Sequence, residues 1–162
     1  MLSLKVKCDH EASQIHISQH AYINSILQHF SFDELKPLSI PFDTQVCLMI
    51  EQALATTEEF AIMRNVPYYE AVSMLNWATL ATHPDITFVV LTVARFSTNP
   101  GPVHWDAVKC IFCYLAGTHN LWLSYGEMQH ALEGYADTDG SMTEDCHTVS
   151  GYTFLIDRGA VS

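Results

Sequence analysis

Hydrophobic and polar positions alternate at the start of the chain, and that alternation predicts a β-hairpin. Leu2, Leu4 and Val6 interleave with Ser3, Lys5 and Lys7, a polar turn runs from Asp9 to Ser13, and Ile15 and Ile17 resume the two-residue period. The period then becomes helical. Behind Ser18 as an N-cap, Tyr22, Ile23, Ile26, Leu27 and Phe30 fall on one face. Pro37 and Pro41 break the pattern, so residues 31–50 are expected to be an extended connection with little regular structure. Thr56 followed by Glu59 has the form of a capping box and starts a short helix to about Arg64. Pro67 suits the first position of the next helix, whose apolar side is Tyr68, Ala71, Val72, Leu75, Ala78 and Thr79 and which ends near His83. Pro84 and Asp85 open a denser one with Ile86, Val89, Val90, Val93 and Ala94, the aspartate favouring the helix dipole. Asn99-Pro100-Gly101-Pro102 is a strong break, and Pro102 starts a helix with Val108, Ile111, Phe112 and Leu115 inward and Gly117 at its end.

After Gly117 the period returns to two. Leu121, Leu123 and Tyr125 make one predicted strand, residues 132–138 a second and 149–156 a third. The fold class is therefore α+β: an N-terminal hairpin over 1–17, a helical middle over 18–118 and a strand-rich tail over 119–162.

Composition narrows the function classes. Of 162 residues, 49% are hydrophobic and 15% charged, which is globular rather than disordered composition. Eighteen acidic against seven basic residues give a formal charge of −11, a balance that repels a phosphate backbone. The five cysteines, Cys8, Cys47, Cys110, Cys113 and Cys146, are scattered and odd in number, and nothing resembles a secretory signal. No run of about 18 apolar residues occurs, so neither a membrane span nor a membrane partner is expected. Reduced thiols in an intracellular protein are the expectation.

Few residues point to chemistry directly. Cys110-x-x-Cys113 invites a zinc reading with His104 and His119 as partners, but both cysteines fall within a predicted helix and no second pair has finger spacing. His104-Trp105 at a helix start is read as a tryptophan covering a helix seam rather than as a ligand-stacking pair. Glu58 and Glu59 are first-turn residues rather than an acid–base pair, and Tyr68-Tyr69 is half core, half surface. There is no Ser-His-Asp signature and no phosphate-binding glycine loop.

Nine short blocks in order carry a family resemblance. They are Ile17-Ser18-Gln19 with Ala21-Tyr22-Ile23; Lys36-Pro37 with Ile40-Pro41; Pro67-Tyr68-Tyr69-Glu70-Ala71-Val72; Ala81-Thr82-His83-Pro84-Asp85-Ile86; residues 96–101; His104-Trp105; Tyr114-Leu115-Ala116-Gly117-Thr118; Gly134-Tyr135-Ala136-Asp137-Thr138-Asp139; and Ser150-Gly151-Tyr152. Together they resemble the Pol polyprotein of Ty1/copia-type retrotransposons, from the end of reverse transcriptase into ribonuclease H. The resemblance implies a hairpin ending the polymerase palm, a helical thumb and connection that grips an RNA–DNA hybrid, and the first strands of ribonuclease H. It makes Asp137 the equivalent of the first ribonuclease H carboxylate, with Asp139 the alternative since strand alternation puts both on one face. Magnesium is the metal of the parent enzyme. Two-metal phosphodiester hydrolysis needs several carboxylates, so this stretch is expected to be a non-autonomous, inactive fragment that needs no cofactor of its own.

Departures from the family pattern concern cations. The family's helix after His-Trp has the form Lys-Arg-x-x-Arg-Tyr-Leu-Lys-Gly-Thr; here Lys109 remains as the one nucleic-acid-binding candidate, with Cys110, Cys113 and Ala116 in the other basic places. His20, His29, His83 and Cys146 also stand where arginine or lysine is usual in the resemblance. Deamination of methylated cytosine in CG-containing arginine codons yields cysteine, tryptophan, histidine or glutamine. Decay of a silenced repeat thus accounts for nine histidines, five cysteines and three arginines together. The alternative function is a host-retained acidic protein-interaction module built on the helical middle.

Overall fold

The computed structural model describes residues 4–32, 34–42, 46, 48–126, 132–139, 149–156 and 159–161. The predicted hairpin is formed by β1 (Lys5–Asp9) and β2 (Gln14–Ser18). Asp9 Oδ1 accepts the Glu11 and Ala12 N–H groups at 3.1 and 3.0 Å, which folds the polar stretch into its turn. Helix α1 (His20–His29) begins one residue later than Ser18 as N-cap would place it, with Gln19 at the cap position. Ser18 belongs to the strand, and its hydroxyl takes the His20 N–H at 3.1 Å, so it acts at the strand–helix corner rather than as the cap.

Among its described residues, the connection after α1 carries turns and one 3-10 turn, Ile50–Gln52. Helix α2 (Thr57–Met63) starts on the predicted capping box: Glu59 N–H donates to Thr56 Oγ1 at 3.2 Å and Thr56 N–H to Glu59 Oε2 at 3.0 Å. In α3 (Tyr68–Ala81) the buried residues are the six read from the pattern. Pro84 opens a 3-10 turn, Pro84–Ile86, that leads into α4 (Thr87–Ala94), where Val89, Val90 and Val93 are buried. Helix α5 (Pro102–Thr118) runs through Gly117. That glycine keeps a helical backbone and lets the preceding loop approach: a Cβ there would lie 3.3 Å from Pro37 Cβ. The helix instead stops where Thr118 Oγ1 donates to the Tyr114 carbonyl and His119 Nδ1 bonds the Ala116 carbonyl, at 3.0 and 2.7 Å.

The tail forms β3 (Leu123–Tyr125), β4 (Glu133–Asp139), β5 (Val149–Ile156) and β6 (Gly159–Ala160). β3 pairs antiparallel with β2, Ile15 opposite Tyr125 and Ile17 opposite Leu123, giving a sheet of order β1-β2-β3. The second sheet has order β4-β5-β6, with Asp137 opposite Gly151. The two-residue β6 is too short to leave a periodic signal in the sequence. Helix and strand are both present, so the α+β class holds.

Two compact units result, one formed by the described residues of 1–5 and 18–121, the other by those of 6–17 and 122–162. The first holds every buried hydrophobic residue among those described, from Ile23 to Leu115, with Phe112, Ile23, Leu75, Ile86, Ile111 and Leu115 the largest side chains fully enclosed. Phe112 lies 5.2 Å from both the Phe30 and Phe32 rings. In the second unit, both faces of β4 and β5 are largely exposed, Tyr135 and Tyr152 included. Tyr125, its phenol pushed above the usual range by burial, donates to the Ala160 carbonyl at 2.5 Å and fixes β6 to β3.

Candidate functional site

The amphipathic period of α5 decides which of its residues meet solvent. Ala107, Val108, Ile111, Phe112 and Leu115 are enclosed, which leaves Lys109, Cys110, Cys113 and Ala116 half-buried on the other side. This is the face on which the family pattern carries its basic residues. Lys109 Nζ lies 2.5 Å from Asp106 Oδ1 one turn earlier, so the remaining cation faces a carboxylate. Neither Cys110 nor Cys113 is in a disulfide. Burial, and the Cys110 thiol beside it, push the Cys113 thiol up, away from the thiolate a metal or an electrophile needs. The zinc reading fails on geometry. His104 and His119 stand at opposite ends of α5, fifteen residues or about 22 Å apart. Among the described residues no three His, Cys, Asp or Glu side chains gather in a metal-binding group. Cys47 and Cys146 lie outside the described residues.

Asp137 is exposed on β4, the edge strand of its sheet, with Glu133 and Tyr135 on the same face by alternation. Tyr135 Oη donates to Glu133 Oε2 at 3.1 Å, which raises the phenol's pKa. Asp139 continues the strand opposite Val149, and its side chain lies outside the described residues.

The other singled-out residues have structural partners. Trp105 sits 6.1 Å from the Phe32 ring and 6.3 Å from Tyr68, over the seam between α5 and α3. Glu59 accepts the Ala55 and Thr56 N–H groups, bonds that hold its carboxyl below the usual range. Tyr68 is enclosed and donates to the Val93 carbonyl at 2.7 Å, whereas Tyr69 is 72% exposed. His29 meets Glu70 at 3.1 Å, and His20 lies against His119 with ring centroids 5.1 Å apart.

Two polar clusters escaped the sequence reading. Gln19 is buried at the start of α1. Oriented to satisfy its neighbours, its amide oxygen accepts from Trp77 Nε1 at 3.1 Å and its nitrogen donates to Thr82 Oγ1 at 2.8 Å and the Ala78 carbonyl at 3.2 Å. The second cluster joins the α3–α4 corner to α5. His83 Nδ1 lies 3.4 Å from Asp85 Oδ1, and Tyr114 donates to Asp85 Oδ2 at 2.5 Å. Burial pushes Asp85 up, but these hydrogen bonds and the His83 charge outweigh it and hold the carboxyl below its ordinary value. Tyr114 is pushed up to about 12 by burial and by its bond to Asp85. Both clusters join residues far apart in sequence, and no local pattern announces them.

Comparison with known proteins identifies the lineage. The chain is 37% identical over its full length to the retrovirus-related Pol polyprotein from transposon TNT 1-94 of Nicotiana tabacum, of which it spans 12%. It is 26% identical over 91% of its length to the retrovirus-related Pol polyprotein from transposon RE2 of Arabidopsis thaliana, spanning 10% of that protein. It is also 35% identical over 62% of its length to secreted RxLR effector protein 161 of Plasmopara viticola, covering 72% of it. No family model and no solved structure matches. The full-length alignment to a Pol polyprotein, repeated at lower identity in others, places the nine blocks in a common lineage, and the chain belongs to the Ty1/copia-type retrotransposon Pol family.

Proposed function

We propose that this chain corresponds to the thumb and connection of a retrotransposon reverse transcriptase running into the start of ribonuclease H, and that it neither polymerises nor hydrolyses on its own. The parent activity would be RNA-directed DNA synthesis with removal of the RNA strand, using magnesium. The observation that carries this reading is the solvent-facing side of α5. Cys110, Cys113 and Ala116 occupy places that the family pattern makes basic, and Lys109 is paired with Asp106. A helix that grips phosphate needs uncompensated cations there, because affinity comes from displaced counterions. The net charge of −11 works in the same direction.

The test is equilibrium binding of a labelled RNA–DNA hybrid across a salt series. The chain should bind weakly at physiological salt. The double variant Cys110→Arg with Cys113→Arg should bind tighter, with a log–log salt slope steeper by up to about 2, one unit per restored phosphate contact. Equal binding by the two proteins would refute the reading of this face.

A second reading rests on a different surface. Leu80 on α3 and Phe88 and Leu91 on α4 are 73%, 68% and 58% exposed. Large apolar side chains left in water on packed helices favour a protein-interaction module, a role compatible with the acidic charge. Binding of the hybrid by the restored variant, but not by the original chain, would leave this second role open to the original chain alone.

A further inference from the structure

His104 performs a task that neither reading uses. It is the third residue of α5 and completely enclosed. Its Nδ1 accepts the Gly101 N–H at 2.8 Å, closing the helix start in the way a Glu or Gln side chain does in a capping box. That bond fixes the tautomer. With Nδ1 unprotonated, the proton is on Nε2, which donates to the Met49 carbonyl at 3.2 Å. The ring also stacks on Phe96, centroids 4.0 Å apart. One imidazole therefore ties the 96–101 turn and α5 to the stretch from Met49 to Leu54.

That stretch is a strap. Its 3-10 turn is closed by Met49 N–H donating to Gln52 Oε1 at 3.0 Å, and its far end is held by Asn99 Nδ2 donating to the Leu54 carbonyl at 3.4 Å. It presses so closely on Gly101 that a Cβ there would collide with the Gln52 carbonyl oxygen. We propose that His104 is an acid-released latch that holds the 49–54 strap against the start of α5.

The chemistry is a single protonation. The only basic site on the ring is the Nδ1 lone pair, and it points at Gly101 N–H. An added proton would set two donors against each other and break the cap. Among the described residues, charged groups on the surrounding elements offer no compensation through a hydrogen bond to the ring. Glu51 is exposed on the 3-10 turn, Glu58 and Glu59 start α2 with Glu59 engaged by its capping box, and Asp106 pairs with Lys109 on α5. Arg95 holds its guanidinium 5.9 Å from the Phe96 ring on which His104 lies. Burial accordingly keeps the His104 imidazole below the ordinary histidine range, although the Met49 carbonyl pulls the other way. Because the closed form has the lower pKa, the latch is at full strength above about pH 6.5. It weakens about tenfold in its closing constant for each pH unit below that, until the closed-state pKa is reached.

Amide exchange and ring-nitrogen NMR on the full chain between pH 8 and pH 4.5 test this, with exchange corrected for its intrinsic pH dependence. At pH 7.5 His104 should be the Nε2–H tautomer. Below pH 6.5 protection of the Gly101 and Gln52 amides should fall by up to about tenfold per unit until the closed-state pKa is reached, in step with His104 protonation, while Ala71 to Ala78 keep theirs. In His104→Gln, which retains an acceptor for Gly101 N–H without a titrating ring, strap protection should persist to pH 4.5. Strap amides that stay protected while His104 protonates would overturn the proposal, as would the same acid loss in His104→Gln. The first outcome needs no variant, so a variant that does not fold leaves the test decisive.

Discussion

Replacing Phe112 with alanine tests whether the helical unit stands as a cooperative body. The side chain is 0% exposed, and it is the largest of those fully enclosed. It fills the space between α5 and the end of α1, 5.2 Å from the Phe30 and Phe32 rings. A buried phenylalanine truncated to alanine loses about 3–5 kcal/mol, the transfer of the ring plus the cavity left behind. Phe112→Leu keeps most of the volume but forfeits two ring pairs, each about 0.5–1.5 kcal/mol, and should lose about 1–3 kcal/mol. Against a total stability of about 5–15 kcal/mol, the alanine variant sacrifices about a fifth or more, a fall in Tm of roughly 15–25 °C for a unit of this size. Urea unfolding followed by helical circular dichroism gives the comparison, with Tyr152→Ala as control. Tyr152 is 69% exposed on β5 and should change the helical transition by under about 0.5 kcal/mol. A loss below about 1 kcal/mol in Phe112→Ala, or an equal loss in Tyr152→Ala, would refute a core confined to the helical unit.

Further expectations follow from the same contacts. Thr56→Ala removes one half of the capping box at α2 and should cost about 1 kcal/mol, with faster amide exchange confined to residues 57–60. Asp85→Asn should destabilise the chain near neutral pH and flatten its acid limb; the depressed carboxyl contributes above its ordinary pKa of 3.8 and stops contributing as pH falls through the folded value, so the gap between wild type and variant should narrow as pH falls below 3.8. Native-state hydrogen exchange should show protection in residues 67–116 and little in strands 133–139 and 149–156, because the described strands of the second sheet bury almost no apolar side chain. Purified chain with magnesium or manganese should neither extend a primer nor cleave an RNA–DNA hybrid, and cleavage abolished by Asp137→Asn would reverse that expectation.

The helical unit was legible because its elements are marked locally. Pro67, Pro84 and Pro102 stand at element starts, the Thr56–Glu59 pair caps α2, and the inward faces of α3 and α5 repeat at helical spacing. What stayed hidden depends on distance in sequence. Nothing around Leu123 shows that its strand would pair with Ile17, more than a hundred residues earlier. Gln19 looks like an ordinary polar residue until Trp77, Ala78 and Thr82 surround it, and the Asp85–Tyr114 bond joins two helices. Gly117 was misjudged for a related reason: it has the composition of a helix end, but its role is the close approach of the 37–38 loop. At the candidate site the carboxylate of Asp137 was legible as a strand residue, whereas the pairing of Lys109 with Asp106 emerged only with the helix in place.

The positions read as lost cations also explain how a chain can shed charge and keep its fold. Among the described residues none of them belongs to the apolar core, although His83 is itself buried. Cys110 and Cys113 are half-buried on the outer side of α5, where a cysteine packs as a small hydrophobe and leaves Ile111, Phe112 and Leu115 undisturbed. His29 reaches Glu70, His83 reaches Asp85, and His20 Nε2 lies 3.0 Å from Asn24 Nδ2, so each of these histidines has a polar neighbour. Replacing arginine at such places removes a fixed positive charge, which phosphate binding requires, but leaves a donor or acceptor, which is all that local packing requires. Folding and nucleic-acid affinity therefore separate. Restoring arginine on α5 should raise affinity for the hybrid while shifting the unfolding midpoint by no more than about 0.5 kcal/mol, the ordinary range for surface substitutions. A restored helix that bound no better but unfolded earlier would show that these positions serve the fold, and the account of decay by charge loss would fall.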